Sequence, residues 1–360
     1  MDAGRVRGCV LGGAIGDALG APIEFESLAR IRVLHGRAGV TGPVADWRGK
    51  IGLVTDDTQL TLFTLEGIIR ADVRATLKGF CHAPSVLRSA YLRWLDTQRY
   101  DAPPPGQGVH HRTGWLREQG WLYARRAPGN ACLSGLRAEP AHYGSPGLPG
   151  QINPRSKGCG TVMRSAPFGL MGGSPRQAFE LAAECAQITH GHPTGQLAAG
   201  AFAVLIHHLV HDAPLADAVT GTLEVLAAYP AHEETTAALR AATVLARQGD
   251  PSPEKLETLG GGWVAEEALA IAVYCASAQP DGERALLLAV NHSGDSDSTG
   301  AMCGNILGAV HGEPVLPGEW LNTLEGRATI TELADDFVTQ LTQGRRTTGR
   351  TDWLAKYPGA

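Results

Sequence analysis

Two short stretches of this sequence place paired carboxylates among hydroxyl-bearing and glycine residues. The first is Thr55–Thr58, which reads T-D-D-T, and the second is Ser293–Ser298, which reads S-G-D-S-D-S. Carboxylate and hydroxyl oxygens are the ligands that hard divalent cations prefer. The same residue types also cap helices, because Ser, Thr and Asp accept hydrogen bonds from the first N–H groups and acids complement the helix dipole. The pattern alone leaves both interpretations open, a metal site and a pair of helix caps.

The second stretch begins like an EF-hand calcium loop but does not continue as one. Asp295, Asp297 and Gly300 match the start of the pattern D-x-[DN]-x-[DN]-G-x5-E, with Thr299 at its fifth position. Its twelfth position needs a bidentate carboxylate, and Ile306 stands there. A metal site at these acids therefore needs partners from elsewhere in the chain, and the first stretch has the required residue types.

Both acidic stretches precede apolar residues with helical spacing, so each lies at the start of a predicted helix. Glycine recurs every four residues in two helices, over Gly8–Gly20 and again over Gly300–Gly312. Each such glycine costs about 1 kcal/mol relative to alanine, so a row of four indicates close approach of a backbone or a ligand. We predict that these two helices pack against each other or flank one shared cleft.

Helical spacing of apolar residues recurs along the chain, without sustained strand-like alternation. We predict an all-α fold, a compact orthogonal multi-helix bundle, with one domain over residues 1–345 and a loose tail over 346–360. Residues 26–53 read as a loop-rich connection. Residues 98–150 hold seven of the 22 prolines and read as an excursion over the surface. Further predicted helices span 84–97, 114–124, 130–137, 174–189, 194–212, 214–228, 231–248, 264–278, 280–291 and 328–343.

Composition narrows the class of protein. The chain has 360 residues and a formal net charge of -5, which gives no general attraction to nucleic acid or anionic membranes. Its seven cysteines contain no C-x-x-C pair, which indicates reduced thiols in a cytoplasmic protein. The apolar start at Gly8–Ile23 is short and interrupted by Asp17, so we expect neither a membrane span nor a signal peptide. We expect a monomer.

Three further segments carry polar residues outside the acidic stretches. The loop Ser156–Gly160 has small residues that expose backbone N–H groups to an anion, but it lacks the Walker order. Cys159 in that loop has no implied base, which disfavours a nucleophile. His190 lies at a helix junction, where an imidazole is typical of packing or stacking. Glu24 follows Pro22 on a turn and, taken alone, reads as a solvated acid.

Together these motifs resemble the ADP-ribosylglycohydrolase family over about residues 8 to 312. The resemblance rests on their order, with each motif modest by itself. It implies an all-α bundle around a central cleft with two divalent metals, Mg2+ or Mn2+. The matching stretches are G-x-x-x-G-D-A-x-G-x-P-x-E (Gly12–Glu24), T-D-D-T (Thr55–Thr58), G-C-G-x-x-M-R-x-A-P (Gly158–Pro167), T-H-x-H-P (Thr189–Pro193) and G-D-S-D-S (Gly294–Ser298).

The resemblance also implies roles for single residues. Glu24 and Asp297 are the implied catalytic residues, and His190 helps to hold adenine. In the family, Gly is usual at the position of Ser293 and Asn is common at the position of Cys159. We expect Ser293 to narrow the approach to the distal ribose. The implied metal ligands are Thr55, Asp56, Asp57, Asp295, Asp297 and Ser298. The implied diphosphate-binding residues are Ser156, Lys157, Gly158, Cys159 and Gly160.

The implied activity is metal-dependent hydrolysis that removes ADP-ribose from an acceptor, with ADP-ribose as product. An arginine or serine of a protein is the first expectation for the acceptor. A nucleic-acid end and a small metabolite stay open. Two rivals also stay open: a non-catalytic ADP-ribose-binding protein on the same fold, and a structural helical protein whose acids are only caps.

Overall fold

The computed structural model describes residues 1–46, 48–140 and 142–359. Within these ranges 63% of the chain is helical and no strand occurs, so the predicted all-α class is confirmed. None of the described helices is both long enough and apolar enough to cross a bilayer. The helices are α1 (Ala3–Gly20), α2 (Leu28–His35), α3 (Asp56–Lys78), α4 (Ala83–Thr97), α5 (Asn130–Arg137), α6 (Ala166–Gly169), α7 (Pro175–Ala186), α8 (Pro193–Val210), α9 (Leu215–Leu226), α10 (Glu233–Ala246), α11 (Pro253–Leu256), α12 (Ala265–Ala278), α13 (Gly282–Val290), α14 (Ser296–His311), α15 (Gly318–Thr323), α16 (Arg327–Thr347) and α17 (Thr351–Lys356).

The two glycine-rich helices, α1 and α14, pack directly against each other. A Cβ atom added to Gly304 would lie 1.9 Å from the carbonyl oxygen of Gly12, and one added to Gly300 would lie 2.4 Å from that of Gly16. Higher numbers in α1 face lower numbers in α14, so the helices are antiparallel. The predicted contact is confirmed, and its physical cause is that the backbones approach more closely than any side chain permits. This contact brings the end of α1 beside the start of α14.

Helix α3 is largely buried and contributes to a buried charged network. The Glu66 carboxylate is fully buried and accepts hydrogen bonds from Arg93, at 2.6 and 3.0 Å, and from Arg70 at 3.3 Å. Arg70 also donates to the carbonyl oxygen of Pro358 at 2.8 Å and to the Thr113 hydroxyl at 2.8 Å. Buried charges need such partners, and these bonds attach both the excursion and the C-terminus to α3.

The predicted loose tail over 346–360 is wrong for its described part, because α17 lies there and packs on the core. Tyr357 is fully buried and its hydroxyl donates to Asp336 at 2.6 Å. Trp353 is 5% exposed, and its indole N–H donates to the Gln340 side chain at 2.7 Å. A helix of six residues is too short to give a periodic pattern in the sequence, so its packing was not predictable.

Two other predictions about irregular segments need correction. Residues 26–53 contain the eight-residue helix α2, capped by the Ser27 hydroxyl, which accepts from the Arg30 N–H. The helix predicted over 114–124 is instead two 3-10 turns, Leu116–Glu118 and Gly120–Leu122. The excursion is nevertheless packed at these turns, since Leu116 in the first turn and Leu122 in the second are buried.

Candidate active site

The amino-terminal end of α3 presents two acids to the protein interior. The Thr55 hydroxyl caps the helix by accepting from the Asp57 N–H at 3.3 Å. Asp56 and Asp57 are both 3% exposed. The Asp57 Oδ2 atom is buried and has no hydrogen-bond partner among the described residues. Capping therefore explains Thr55 and leaves the Asp57 carboxylate without a structural role of its own.

The amino-terminal end of α14 shows the same feature from the other end of the chain. Asp295 occupies the N-cap position but makes no side-chain capping bond. Its buried Oδ2 atom lacks a hydrogen-bond partner within the described part of the chain. Asp297, also buried, accepts from the Ser298 N–H at 3.0 Å. Between the two open interpretations, these unpartnered oxygens favour a cation site over helix caps.

The acids from the separate segments meet in one cluster. One carboxylate oxygen each of Glu24, Asp295 and Asp297 lies within 4.8 Å of the other two. Glu24 reaches the cluster from the turn after α1, so its interpretation as a solvated acid is wrong. Asp56 and Asp57 line the same cleft. Among the described residues, no Lys, Arg or His forms a salt bridge with any of these five acids. Such crowding requires bound protons or a bound cation.

Proton uptake is the response of this cluster when no cation compensates it. Burial, and then the charge of Asp297, raise the pKa of Glu24 to about 10. The same two causes raise the pKa of Asp17, on α1, to about 7. Burial and then Asp297 also raise the pKa of three further acids, Asp56, Asp57 and Asp295. A cation would reverse these shifts, so binding of a metal must release protons.

Asp17 was missed as a site residue and positions the start of α3. Its carboxylate is fully buried and accepts from the Thr55 N–H at 2.9 and 3.0 Å. It also accepts from the Thr58 N–H at 3.1 Å and from the Thr58 hydroxyl. The available signal was an acid inside an otherwise apolar and small-residue helix, because a buried acid needs partners.

A cleft of about 370 Å³ opens beside the acids, and we call it the ligand cleft. Of the predicted site residues, two do not line it, Thr55 and Lys157. Ser298 lies at its base and donates to the Met163 sulfur at 3.8 Å. The lining residues are Glu24, Phe25, Asp56, Asp57, residues 127–132, Ser156, Gly158, Cys159, Gly160, Met163, His190, Trp263, Asp295, Asp297 and Ser298.

Lys157 belongs to the predicted anion loop, but its side chain is held elsewhere. The ammonium donates to the Glu234 carboxylate at 3.0 Å and also to Glu266. Its carbonyl oxygen accepts from the Ala265 N–H at 2.8 Å. The structure therefore gives Lys157 the role of joining the loop to α10 and α12.

The loop itself has a fixed backbone. The Cys159 N–H donates to the carbonyl oxygen of Trp263 at 3.2 Å, so it is not available to an anion. A Cβ atom on Gly160 would lie 2.8 Å from the Cys132 sulfur, which explains the small residue there. Burial, and then the charge of Asp295, raise the pKa of the Cys159 thiol. A protonated thiol is a poor nucleophile, which agrees with the sequence argument.

His190 lines the cleft as a neutral ring. Burial, and then the charge of Arg164, lower its pKa to about 3. Its Nδ1 atom is 2.8 Å from the Thr189 hydroxyl, to which Arg164 donates at 2.7 Å. The neighbouring His192 instead caps α8, since its Nδ1 atom accepts from the backbone two residues on. A neutral imidazole ring suits contact with an uncharged aromatic group of a ligand better than contact with a charged group.

An aromatic pair stands at the edge of the ligand cleft. Phe25 directly follows Glu24, has a φ of 71° and stacks on Trp263 with ring centroids 5.2 Å apart. The segment after Phe25 is attached to the acidic loop, because Ser293 Oγ accepts from the Leu28 N–H at 2.8 Å. Ser293 is not part of the cleft lining, and its expected narrowing of the approach to a ribose stays a prediction. Its hydroxyl fixes the segment that follows Glu24.

The fold and the site together define an all-α protein with an enzyme-like ligand cleft, which acids from both ends of the chain line. The chain belongs to the ADP-ribosylglycohydrolase family, whose model matches residues 2–348. The enzyme class expected from the sequence is thereby confirmed. The family is metal-dependent in general, and the triad Glu24, Asp295 and Asp297 is able to hold a metal ion.

Named relatives agree with this assignment. The chain is 25% identical to the ADP-ribosyl-[dinitrogen reductase] glycohydrolase of Rhodospirillum rubrum, with 89% of this chain and 90% of the relative covered. It is 23% identical to the ADP-ribosylarginine hydrolase Tri1 of Serratia proteamaculans, with 92% and 78% covered. A solved ADP-ribosylglycohydrolase-related protein complex has the same fold, with a TM-score of 0.61, 24% identity, and 93% and 97% of the two chains covered.

Proposed function

We propose that this protein hydrolyses the bond between ADP-ribose and an arginine side chain of an ADP-ribosylated protein, with divalent cations held by the acidic cluster. The observation that carries the proposal is the convergence of five carboxylates, without a salt-bridge partner among the described residues, on one cleft. Arginine is chosen as acceptor because Tri1, a relative, is named for ADP-ribosylarginine.

The donor set fits hard divalent cations. Two buried carboxylate oxygens, on Asp57 and Asp295, lack partners in the described structure. Mg2+ prefers a few carboxylates completed by water and substrate oxygens, so we propose two Mg2+ ions, with Mn2+ as substitute. The ligands would be Asp56 and Asp57 with Thr55 from α3, and Asp295, Asp297 and Ser298 from α14. Two such ions supply charge for orienting a water and the ribose hydroxyls.

The remainder of the ligand cleft suits ADP-ribose. The Ser156–Gly160 loop lies beside the acids and would face the diphosphate through Ser156, Gly158 and Gly160, whereas Cys159 would contact it by its side chain. His190, neutral and buried, would hold the adenine. Lys157 would act indirectly, by fixing the loop through Glu234 and Glu266.

Glu24 is the best-placed group for proton transfer. Hydrolysis forms a bond from a water oxygen to the anomeric carbon and breaks the bond from that carbon to the acceptor nitrogen. The transition state resembles an oxocarbenium ion, so a carboxyl group must move the proton of the water toward the leaving nitrogen. Glu24 is partly exposed and has a carboxylate oxygen within 4.8 Å of one on Asp297, and both features suit this task.

The test is release of ADP-ribose from defined acceptors. Purified protein is incubated with peptides that carry ADP-ribose on arginine or on serine, and with an ADP-ribosylated DNA end, with MgCl2 or MnCl2. We expect ADP-ribose release from the arginine peptide and its abolition by EDTA. Tight binding of ADP-ribose without turnover of any acceptor would instead identify a non-catalytic binding protein, and turnover insensitive to EDTA would contradict the metal assignment.

A further inference from the structure

A second cavity lies directly beside the ligand cleft, and we call it the outer cavity. It has a volume of about 510 Å³ and shares Glu24 and Ala127 with the ligand cleft. Thr55 lines the outer cavity, whereas the next residues, Asp56 and Asp57, line the ligand cleft. The first turn of α3 and the Glu24 carboxyl therefore form the partition between two chambers.

The position of this partition assigns the outer cavity to the acceptor. If ADP-ribose occupies the ligand cleft, its anomeric carbon faces Glu24, and the group bonded to that carbon continues past Glu24. The chamber on the other side of Glu24 is the space that this group enters. The inference thus rests on the proposed function.

Several cations line the outer cavity, and two of them are exposed without a direct side-chain partner among the described residues. Lys50 and Arg125 are exposed, and their side chains make no hydrogen bond or salt bridge within the described ranges. Arg48 is a third lining cation. By contrast, Arg126 also lines the cavity but forms a salt bridge with Glu325 and donates to the carbonyl oxygen of Val54 at 2.7 Å. Exposed cations at a cavity rim attract anionic partners and raise association rates.

The carboxylates of the same cavity are fewer and lie among these cations. Asp46 accepts from the Arg48 N–H at 2.8 Å and the Lys50 N–H at 2.9 Å, so it shapes the loop that carries both cations. Asp101 lines the cavity from the excursion at 98–150. A chamber of mixed charge inside a chain of net charge -5 suits a protein segment better than a nucleic acid, which favours a continuous basic surface.

We infer that the outer cavity is the acceptor site and that Lys50 and Arg125 select protein segments in which acidic residues flank the ADP-ribosylated arginine. The modified side chain passes Glu24, while the flanking carboxylates contact the cations of the rim. Specificity among acceptors then arises outside the ligand cleft, from charges that take no part in bond cleavage.

The experiment compares two peptides with ADP-ribosylarginine at the centre, one flanked by Asp and Glu and the other by Lys and Arg. For each, kcat/KM and the dissociation constant are measured at low and high salt. We expect an advantage of about tenfold for the acidic peptide that shrinks as salt rises. In the double variant Lys50→Glu, Arg125→Glu, the ratio between peptides should fall to one or invert. Arg240→Glu, on the exposed face of α10, should keep the wild-type ratio.

Because the ratio is taken within one enzyme preparation, partial loss of folded protein does not affect it. Equal constants for both peptides, or an unchanged ratio in the double variant, would overturn the inference. Stronger binding of an ADP-ribosylated DNA end than of the acidic peptide would also overturn it. The two claims fail separately: absence of ADP-ribose release from either peptide contradicts the proposed function, whereas the peptide dissociation constants still decide the acceptor site.

Discussion

The Asp17 carboxylate on α1 accepts hydrogen bonds from both the N–H and the hydroxyl of Thr58 on α3. It also binds the Thr55 N–H, so one buried acid fixes the whole first turn of α3. Since α1 packs on α14 through glycines, these hydrogen bonds fix the position of the acidic stretch of α3 relative to that of α14. The geometry of the site therefore depends on a residue that does not line the ligand cleft.

Replacement of Asp17 should weaken the metal site while leaving the fold in place. In Asp17→Asn, an amide N–H group would face donors of Thr55 or Thr58, and the first turn of α3 would shift. We expect a loss of about 10- to 100-fold in Mn2+ affinity, measured by calorimetry, with an unchanged helical circular dichroism spectrum. Asp217→Asn, in the exposed first turn of α9, is the matched control. Full Mn2+ affinity in Asp17→Asn would refute its positioning role.

Replacement of Glu24 should slow catalysis without weakening ligand binding. Glu24→Gln keeps the side-chain size but cannot transfer a proton, so kcat should fall by about 10²- to 10⁴-fold. The dissociation constant of ADP-ribose should change little in that variant. Asp297→Asn should lower both kcat and Mn2+ affinity, because Asp297 is placed among the metal ligands. Near-normal turnover in Glu24→Gln would show that another group moves the proton.

The stability of the protein should depend on pH in a way that divalent cations reverse. The pKa of Asp17 rises from about 3.9 in an unfolded chain to about 7 in the fold. Between these values the folded state binds more protons than the unfolded state, so the free energy of unfolding decreases as pH rises. The raised pKa of Glu24 extends this loss above neutrality.

Thermal unfolding measures this dependence of stability on pH and on divalent cations. Metal-free protein should lose Tm between about pH 5 and pH 8, and MnCl2 should raise Tm more at the higher pH, where the carboxylates are ionised. Asp297→Asn should show a smaller MnCl2 effect at both values. An equal MnCl2 effect at the two pH values would contradict the assigned protonation of the cluster.

The glycine contact between α1 and α14 should not tolerate a methyl group. In Gly304→Ala the added Cβ atom would lie 1.9 Å from the Gly12 carbonyl oxygen, so the helices must separate. Overpacking of this kind destabilises by about 1–3 kcal/mol, which urea denaturation measures. Gly318→Ala is the control, because nothing lies within 4 Å of its added Cβ atom. Equal stability of the two variants would be incompatible with the contact described.

Periodic spacing and residue type in the sequence were enough to predict the contact between α1 and α14 and the acids of the site. A glycine at every fourth position reports close approach directly, so the pairing of α1 with α14 was predictable. The acids at the starts of α3 and α14 were recognisable by residue type. Bonds that depend on tertiary packing gave no such signal. Examples are the hydrogen bonds of Asp17 to α3, the diversion of Lys157 to Glu234, and the burial of Tyr357.

The central claim is that the acids at the starts of α3 and α14 hold divalent cations. Its most direct test is a crystal soaked in MnCl2, with data collected at a wavelength where manganese scatters anomalously. The account predicts anomalous peaks within about 2.5 Å of carboxylate oxygens of Asp57 and Asp295, and loss of these peaks in Asp297→Ala. Well-ordered carboxylates without an anomalous peak at this position would contradict it.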